Sequence, residues 1–162
     1  MTEYHNIEPV YDKNSRVLIL GSFPSVKSRE QQFFYGHKRN RFWKVISDIT
    51  NEGEPESIAE KKALLFRKRI ALWDVIESCK IEGSSDSTIK DVKPNDLRRI
   101  LNEAAIRKIY CNGAKAYELY RRYIEKDINI KAIKLPSTSP ANAAWNLERL
   151  EEEWKKILCS IV

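Results

Sequence analysis

Histidine, cysteine and long apolar runs are scarce in this chain of 162 residues, and each scarcity excludes a class of protein or site. The chain has two histidines and three cysteines, none of them in a Cys-x-x-Cys pair. This argues against a zinc site, an iron–sulfur cluster and a disulfide framework, so we expect no metal and no cofactor. No apolar run approaches the roughly 20 residues that span a bilayer, so we expect no membrane association.

The first residues, Met1 to Asn6, are polar and lack the charged-then-apolar order of a signal peptide. We therefore expect a cytoplasmic protein, and one associated with the nucleoid if it binds DNA. The length suits one domain over residues 1–162 with one substantial core, and we expect a monomer.

Positive charge is concentrated in one segment. The formal net charge is +6, and between Lys27 and Lys44 the only acid is Glu30. A basic surface attracts polyanions, of which nucleic acid is the commonest. The same cluster is also what a solvated outer face would carry, so both interpretations stay open. The cations of the segment are Lys27, Arg29, Lys38, Arg39, Arg41 and Lys44.

Four short runs rich in Ile, Leu and Val predict buried strands, and apolar residues at helical spacing predict helices between them. Asn95 is the expected cap of the second helix. Alternating strands and helices favour an α/β fold with a mainly parallel sheet. The predicted strands are Arg16–Leu20, Ile70–Val75, Ile106–Cys111 and Ile130–Leu135. The helical positions are Phe42, Val45, Ile46 and Ile49; Leu97, Ile100 and Leu101; Tyr117, Tyr120 and Ile124; and Leu147, Leu150, Trp154 and Leu158.

Ligands of such sheets bind at the carboxyl ends of the strands, and a polar, turn-forming segment follows each predicted strand. These segments are Gly21–Ser25, Asp74–Ser78, Asn112–Gly113 and Pro136–Asn142. The stretch Glu82–Asp91 indicates a long mobile loop.

The first segment, Gly-Ser-Phe-Pro-Ser, is a tight strand-to-loop turn without a phosphate-loop pattern. Its exposed amides could hold a carbonyl oxygen or a phosphate, or the turn could be structural only. The last segment offers the hydroxyls of Ser137, Thr138 and Ser139 before a helix expected near Asn142. Such a helix start would bind a DNA phosphate, while Ser139 or Asn142 could equally be a cap.

The densest segment, Phe33–Trp43, mixes aromatic side chains with cations. Aromatic rings stack on extruded bases and cations bind phosphates, so the segment is typical of a pocket for a flipped base. Phe42 lies on the apolar face of the next helix and is expected in the core. His37 alone indicates no catalytic role.

Taken together, these segments resemble the uracil-DNA glycosylase superfamily, nearest its hypoxanthine-DNA glycosylase branch. The resemblance rests on Gly21–Ser25, Tyr35–Trp43, Leu72–Ile76 and Ser137–Asn142, in the expected order. It implies a three-layer αβα fold with a four-stranded parallel sheet, base flipping, no metal, and DNA containing a deaminated base as the partner.

The chain departs from its relatives at the usual catalytic positions. Phe23 stands where mismatch-specific relatives carry asparagine, and Ser137 where uracil-specific relatives carry histidine. The resemblance shifts the water-positioning role to Asn40, whose amide oxygen would orient the water. It places Ala141 at the position of the wedge that enters the duplex.

The remaining site residues follow from the same resemblance and from the chemistry of the bond. The amides of Ser22 and Phe23 would stabilise the anionic base as an oxyanion hole does, and no paired carboxylates are evident. Phe23 and Tyr35 would stack on the base, while Asp74 and, more weakly, Asn112 would contact its edge. The expected DNA contacts are Ser25, Lys38, Arg39, Arg41, Ser137, Thr138, Ser139, Ala141 and Asn142. The alternative is a non-catalytic α/β module that binds nucleic acid.

Overall fold

Seven strands and seven helices make up the computed structural model, which describes all residues 1–162. The strands are β1 (Thr2–Tyr4), β2 (Val17–Gly21), β3 (Ile70–Asp74), β4 (Ile76–Lys80), β5 (Lys90–Pro94), β6 (Lys108–Asn112) and β7 (Ala132–Leu135). The helices are α1 (Val26–Gln31), α2 (Phe42–Ile49), α3 (Ile58–Arg67), α4 (Arg98–Leu101), α5 (Ala114–Tyr123), α6 (Glu125–Ile128) and α7 (Leu147–Trp154). Two 3₁₀ turns cover Asp86–Thr88 and Lys155–Ser160.

The central sheet has four parallel strands in the order β3-β2-β6-β7. Each corresponds to a predicted strand, and the α/β prediction with a parallel sheet is confirmed. β2 is buried along its whole length because both faces of a parallel sheet are covered, which explains its continuous apolar run. Helix α5 packs on β6 and β7, α3 packs on β3, and α2 packs against α7.

A second, antiparallel sheet in the order β1-β4-β5 was not predicted. The chain passes from β3 into β4 through Val75, whose N–H donates to Gly21 O while Ile76 N–H donates to Ser22 O. This sheet has a consequence for the site, because pairing of β1 with β4 brings the polar N-terminal segment beside the end of β3. The prediction of one loop over Glu82–Asp91 is wrong in extent, since a 3₁₀ turn and the start of β5 lie within it.

Two expected helix starts are wrong. No helix begins near Asn142; α7 begins at Leu147, where Asn146 Oδ1 accepts from Arg149 N–H at 2.9 Å. Asn95 does not cap α4, because its buried Nδ2 donates to Asp74 O and Ile76 O across the step between the two sheets. The predicted α2 positions are confirmed, and all four are buried. No helix in the protein combines the length and apolarity needed to cross a membrane.

Candidate active site

A cavity of about 400 Å³ opens where the strands of the parallel sheet end at their carboxyl termini. Most of the expected site residues line it, although they come from segments more than 100 positions apart in sequence. Those that do are Ser22, Phe23, Ser25, Tyr35, Asn40, Asp74, Asn112, Ser137, Thr138, Ser139 and Ala141. Asn142 lines an adjoining cavity, which shares Asp86, Ser137, Ser139 and Ala141 with the first. Lys38, Arg39 and Arg41 line neither.

Asn40, Thr138 and Asn112 form one side of the cavity, which we call the amide wall. Thr138 Oγ1 donates to Asn40 Oδ1 at 2.8 Å and accepts from Asn112 Nδ2 at 3.0 Å. Asn112 Oδ1 in turn accepts from the backbone N–H of Thr138 at 3.0 Å. Thr138 is completely buried and its hydroxyl is engaged in this network, while its expected contact with DNA phosphate stays a prediction.

The side-chain oxygen of Asn40 also accepts the backbone N–H of Phe42 at 3.0 Å. With the bond from Thr138, both lone pairs of this oxygen are engaged within the protein. The expected role of this oxygen in orienting the water stays a prediction, and the geometry leaves the oxygen no lone pair for that water. The group of Asn40 that remains without a protein partner is its amide nitrogen, Nδ2.

Gly21, Tyr35 and Asp74 form a second part of the cavity, which we call the floor. A Cβ on Gly21 would lie 2.4 Å from Asp74 Oδ1 and 3.1 Å from the Tyr35 hydroxyl, so glycine allows all three to meet. The Tyr35 hydroxyl is buried without a hydrogen-bond partner in the protein. Burial, followed by the negative charge of Asp74, raises the pKa of Tyr35 far above its ordinary value, so the hydroxyl remains a donor.

The ring of Tyr35 stacks on Phe42, with 4.2 Å between centroids and 19° between planes. One face of the ring is thus already used, and a base can meet only the other face or the hydroxyl. Tyr35 also has φ +52°, a left-handed conformation that is uncommon for a tyrosine. The segment before α2 therefore holds this side chain in place at some conformational cost.

His5 is a site residue that the sequence analysis missed. Its Nε2 lies 2.7 Å from Asp74 Oδ2, and its side chain is almost completely buried. The backbone N–H of Ile7 donates to His5 Nδ1, so Nε2 carries the proton that is donated to Asp74. This bond fixes the carboxyl group of Asp74, so that its other oxygen, Oδ1, points toward Gly21 and Tyr35. No sequence signal pointed to it, because it depends on the unpredicted pairing of β1.

Phe23 packs into the side of the cavity and is buried. The guanidinium of Arg29 lies 5.3 Å above its ring, and the ring of His5 meets it edge-on at 6.1 Å. The backbone N–H groups of Ser22 and Phe23 donate no hydrogen bond within the protein. They are available to a carbonyl oxygen or an anion, as the sequence analysis expected.

A second carboxyl group, Asp86, lines both cavities, so Asp74 is not the only acid at the site. The hydroxyl of Ser22 donates to Asp86 Oδ1 at 3.0 Å. The surrounding loop is attached to α1, because Val26 N–H donates to Ser84 Oγ and Arg29 Nη2 donates to Gly83 O. Long-range contacts of this kind leave no signal in the sequence.

The segment Ser137–Asn142 forms turns at the rim. Ser137 Oγ accepts from Ser139 N–H, Ser139 Oγ accepts from Ala141 N–H, and Asn142 Nδ2 donates to Ser137 O. The expected phosphate site at a helix start is wrong, since no helix begins here. Ala141 is exposed at the rim of the cavity. Ser25, another expected DNA contact, caps α1 by accepting from Ser28 N–H.

The three expected phosphate-binding cations differ in their surroundings. Lys38 and Arg39 are exposed and form no ion pair. Arg41 instead donates from Nη1 to Trp145 O and from Nη2 to Asn142 O, and its backbone N–H donates to Thr138 O. In this structure Arg41 holds the rim segment against the start of α2, and its expected contact with phosphate stays a prediction.

Comparison with known proteins defines the class. Residues 8–159 match the model of the uracil DNA glycosylase superfamily, and the chain belongs to that superfamily. It is 36% identical over 152 residues to the hypoxanthine DNA glycosylase of Methanosarcina acetivorans, covering 91% of this chain and 93% of the relative. The hypoxanthine DNA glycosylase of Methanosarcina barkeri is 39% identical over 114 residues, covering 68% and 71%.

The fold agrees with that assignment. The solution NMR structure of a Methanosarcina acetivorans protein, described as a candidate uracil DNA glycosylase, superposes with a TM-score of 0.80. The two chains are 34% identical, and the match covers 98% of this chain and 97% of the other. The family resemblance found in the sequence is thus confirmed, and the protein is a DNA glycosylase acting on deaminated bases.

Proposed function

We propose that the protein is a monofunctional hypoxanthine-DNA glycosylase of base-excision repair. It flips the damaged nucleotide out of the duplex and hydrolyses the bond between the base and deoxyribose, with uracil as a second substrate. The observation that carries the proposal is one cavity into which both the amide wall and the floor open. Its volume of about 400 Å³ is in the range of pockets that enclose a small ligand.

Base selection would occur at the floor. Hypoxanthine carries a hydrogen on N1 and a carbonyl at C6, whereas adenine carries a lone pair on N1 and an amino group at C6. Asp74 Oδ1, fixed by the bond from His5 to Oδ2, accepts the N1 hydrogen of hypoxanthine and repels the lone pair of adenine. The Tyr35 hydroxyl, which has no partner in the free protein, donates to the base carbonyl. Uracil presents the same donor and carbonyl on its ring.

Bond cleavage would occur between the amide wall and the Ser22–Phe23 turn. As the bond to N9 breaks, positive charge develops on the sugar and negative charge on the base. Asn40 Nδ2 donates to a water oxygen, whose second lone pair attacks C1′ of the sugar, and the proton that the water then loses passes to solvent. The free N–H groups of Ser22 and Phe23 stabilise the charge on the base. The wall needs little rearrangement because its other bonds are already formed.

The product would be an intact strand with an abasic site. No lysine lines the cavity, so the chain has no amine there to form a Schiff base with the sugar. No group of three His, Cys, Asp or Glu side chains is placed to hold a metal ion, and the proposed mechanism requires none. We further propose that the protein acts as a monomer in the cytoplasm, at the nucleoid, where its DNA substrate would be found.

The experiment is single-turnover cleavage of duplexes that contain one 2′-deoxyinosine, one deoxyuridine, one deoxyxanthosine or no damaged base. Alkali then converts abasic sites into strand breaks. We expect the inosine strand to be cut fastest, without loss in EDTA and without borohydride trapping of a covalent adduct. Binding to all four duplexes without cleavage would instead support the non-catalytic module.

A further inference from the structure

The proposed mechanism gives Asp86 no role, although this residue lines the cavity. The residue is exposed overall, yet its Oδ1 accepts from the hydroxyl of Ser22, which is itself buried. That hydroxyl belongs to the turn whose amides face the base. Asp86 is therefore attached to the turn that, in the proposed mechanism, stabilises the departing base.

The loop that carries Asp86 is fixed at two further points. Ser84 Oγ accepts the N–H of Val26 at 2.9 Å, and Arg29 Nη2 donates to Gly83 O at 2.7 Å. Two bonds from α1 thus hold the loop backbone beside Asp86, and the bond from Ser22 holds the carboxyl group itself. A group held in this way can act at one defined atom of a substrate.

The electrostatic surroundings favour the protonated acid. Burial of the carboxyl group raises the pKa of Asp86, and the negative charge of Asp74 adds to the increase. The hydrogen bond from Ser22 and the charge of Lys115 act in the opposite direction without reversing it. The other ionisable groups that face Asp86 are Tyr35, before α2, and Cys79, in β4.

The two carboxyl groups of the cavity thus have different surroundings. Asp74 accepts a hydrogen bond from His5 and has the partner expected of a carboxylate. Asp86 has no cationic partner in a salt bridge, and its neighbour across the cavity is another acid. A pair of acids in unlike surroundings commonly divides into one ionised group and one proton donor.

We propose that Asp86 is the general acid that protonates the departing purine, an assignment that rests on the proposed function. The bond between C1′ and N9 breaks with its electron pair going to the purine. Asp86 transfers its proton to a ring nitrogen of the purine, N7 or N3, and the base leaves neutral. Water adds to C1′ and releases one proton to solvent, from which Asp86 recovers its own. Uracil has no imidazole ring and leaves as an anion on the turn amides.

The test compares Asp86→Asn with wild type in single-turnover cleavage of inosine and uracil duplexes. Asp91→Asn is the matched control, because it removes an exposed acid that follows the same loop and pairs with Lys80 at 3.3 Å, outside the cavity. For inosine we expect Asp86→Asn to lose about 10²-fold or more in rate. For uracil, which leaves without a proton from Asp86, we expect no loss greater than about threefold. Asp91→Asn should match wild type on both.

Two further measurements separate catalysis from folding. In wild type the inosine rate should fall as pH rises through the pKa of Asp86, and this limb should be absent in Asp86→Asn but present in Asp86→Glu. On duplexes containing 7-deaza- or 3-deaza-2′-deoxyinosine, wild type should lose rate on the analogue that lacks the protonated nitrogen. Asp86→Asn should show no further loss on that analogue.

Equal losses on inosine and uracil, or an unchanged pH limb in Asp86→Asn, would overturn the assignment of Asp86. An inosine rate within about threefold of wild type would do so as well. These outcomes concern Asp86 alone, since the proposed function is judged by wild type. If wild type cleaves no inosine duplex, the proposed function itself fails.

Discussion

The amide wall and the floor of the cavity show two ways of preparing polar groups for a substrate. In the wall, Asn40, Thr138 and Asn112 satisfy one another, and the amide nitrogen of Asn40 is left over. In the floor, the Tyr35 hydroxyl is buried with no partner, next to Asp74. The hydrogen bonds of the wall are formed without a ligand. The Tyr35 hydroxyl of the floor, in contrast, gains a hydrogen-bond partner only when a ligand binds. A rigid wall suits the placing of a water, and an unsatisfied floor suits the selection of a base.

Replacement of Asn40 should have the largest effect, because it removes the group of the wall that faces the substrate. We expect Asn40→Ala to lower single-turnover cleavage of inosine DNA by about 10²-fold or more, with DNA binding largely retained. Loss of the bond to Phe42 N–H should cost only about 1 kcal/mol of unfolding free energy. Asn40→Asp keeps an oxygen for Phe42 and Thr138 but replaces the free N–H groups by an acceptor, so it should fold well and cleave poorly. If Asn40→Ala folds and cleaves within a few-fold of wild type, Asn40 has no place in the mechanism.

A methyl group at Gly21 should disturb the floor and leave the wall intact. The new Cβ would lie 2.4 Å from Asp74 Oδ1, so the carboxyl group must move away from the base. We expect Gly21→Ala to reduce inosine cleavage by about 10-fold to 10²-fold, since displacements near 1 Å have effects of this size. Gly53→Ala is the control, because nothing lies within 4 Å of its Cβ position. Equal activity of the two variants would show that the floor does not touch the base.

Removal of the Tyr35 hydroxyl should weaken recognition of the base without destabilising the protein. In Tyr35→Phe the buried, unpaired oxygen is lost while the stacking on Phe42 remains. We expect the free energy of unfolding to stay equal or to rise by about 1 kcal/mol, measured by urea denaturation. Inosine cleavage should nevertheless fall several-fold. A variant that is less stable than wild type and fully active would show that the hydroxyl stabilises the fold and does not recognise the base.

The smallest effects should come from two exposed cations that line neither cavity, Lys38 and Arg39. Lys38→Gln and Arg39→Gln should each reduce the slope of log affinity against log salt by about one unit if their cations touch phosphates. Lys108→Gln, at the amino end of β6 and thus at the opposite edge of the sheet, should leave the slope unchanged. Arg41→Gln should leave the slope unchanged too but weaken cleavage, because its guanidinium is bonded within the protein. A reduced slope for Arg41→Gln would return that residue to the DNA surface.

The sequence allowed the prediction of whatever depends on local pattern. The strand containing Leu18 to Leu20 is continuously apolar because it is buried on both faces. The presence of Asn40 in the cavity was expected from the family resemblance, and that of Asp74 from its position at the end of a strand. His5 could not be predicted, since its partner lies 69 positions away through an antiparallel sheet that has little hydrophobic signal. The cap at Asn95 was mispredicted because the side chain instead satisfies two carbonyls at a step between sheets. Arg41 looked free because its acceptors are backbone oxygens of a distant turn.

The contacts of Arg41 have a consequence for protein engineering. Asn40 and Arg41 are adjacent, and both are bonded to the rim segment and the residues that follow it. Asn40 accepts from the Thr138 hydroxyl, and Arg41 donates to the carbonyls of Thr138, Asn142 and Trp145. The two chain segments therefore depend on each other for their conformation. A rim segment grafted from a relative would keep its shape only if its own partners for Asn40 and Arg41 came with it. Libraries that vary the rim to change base preference should vary these two segments jointly.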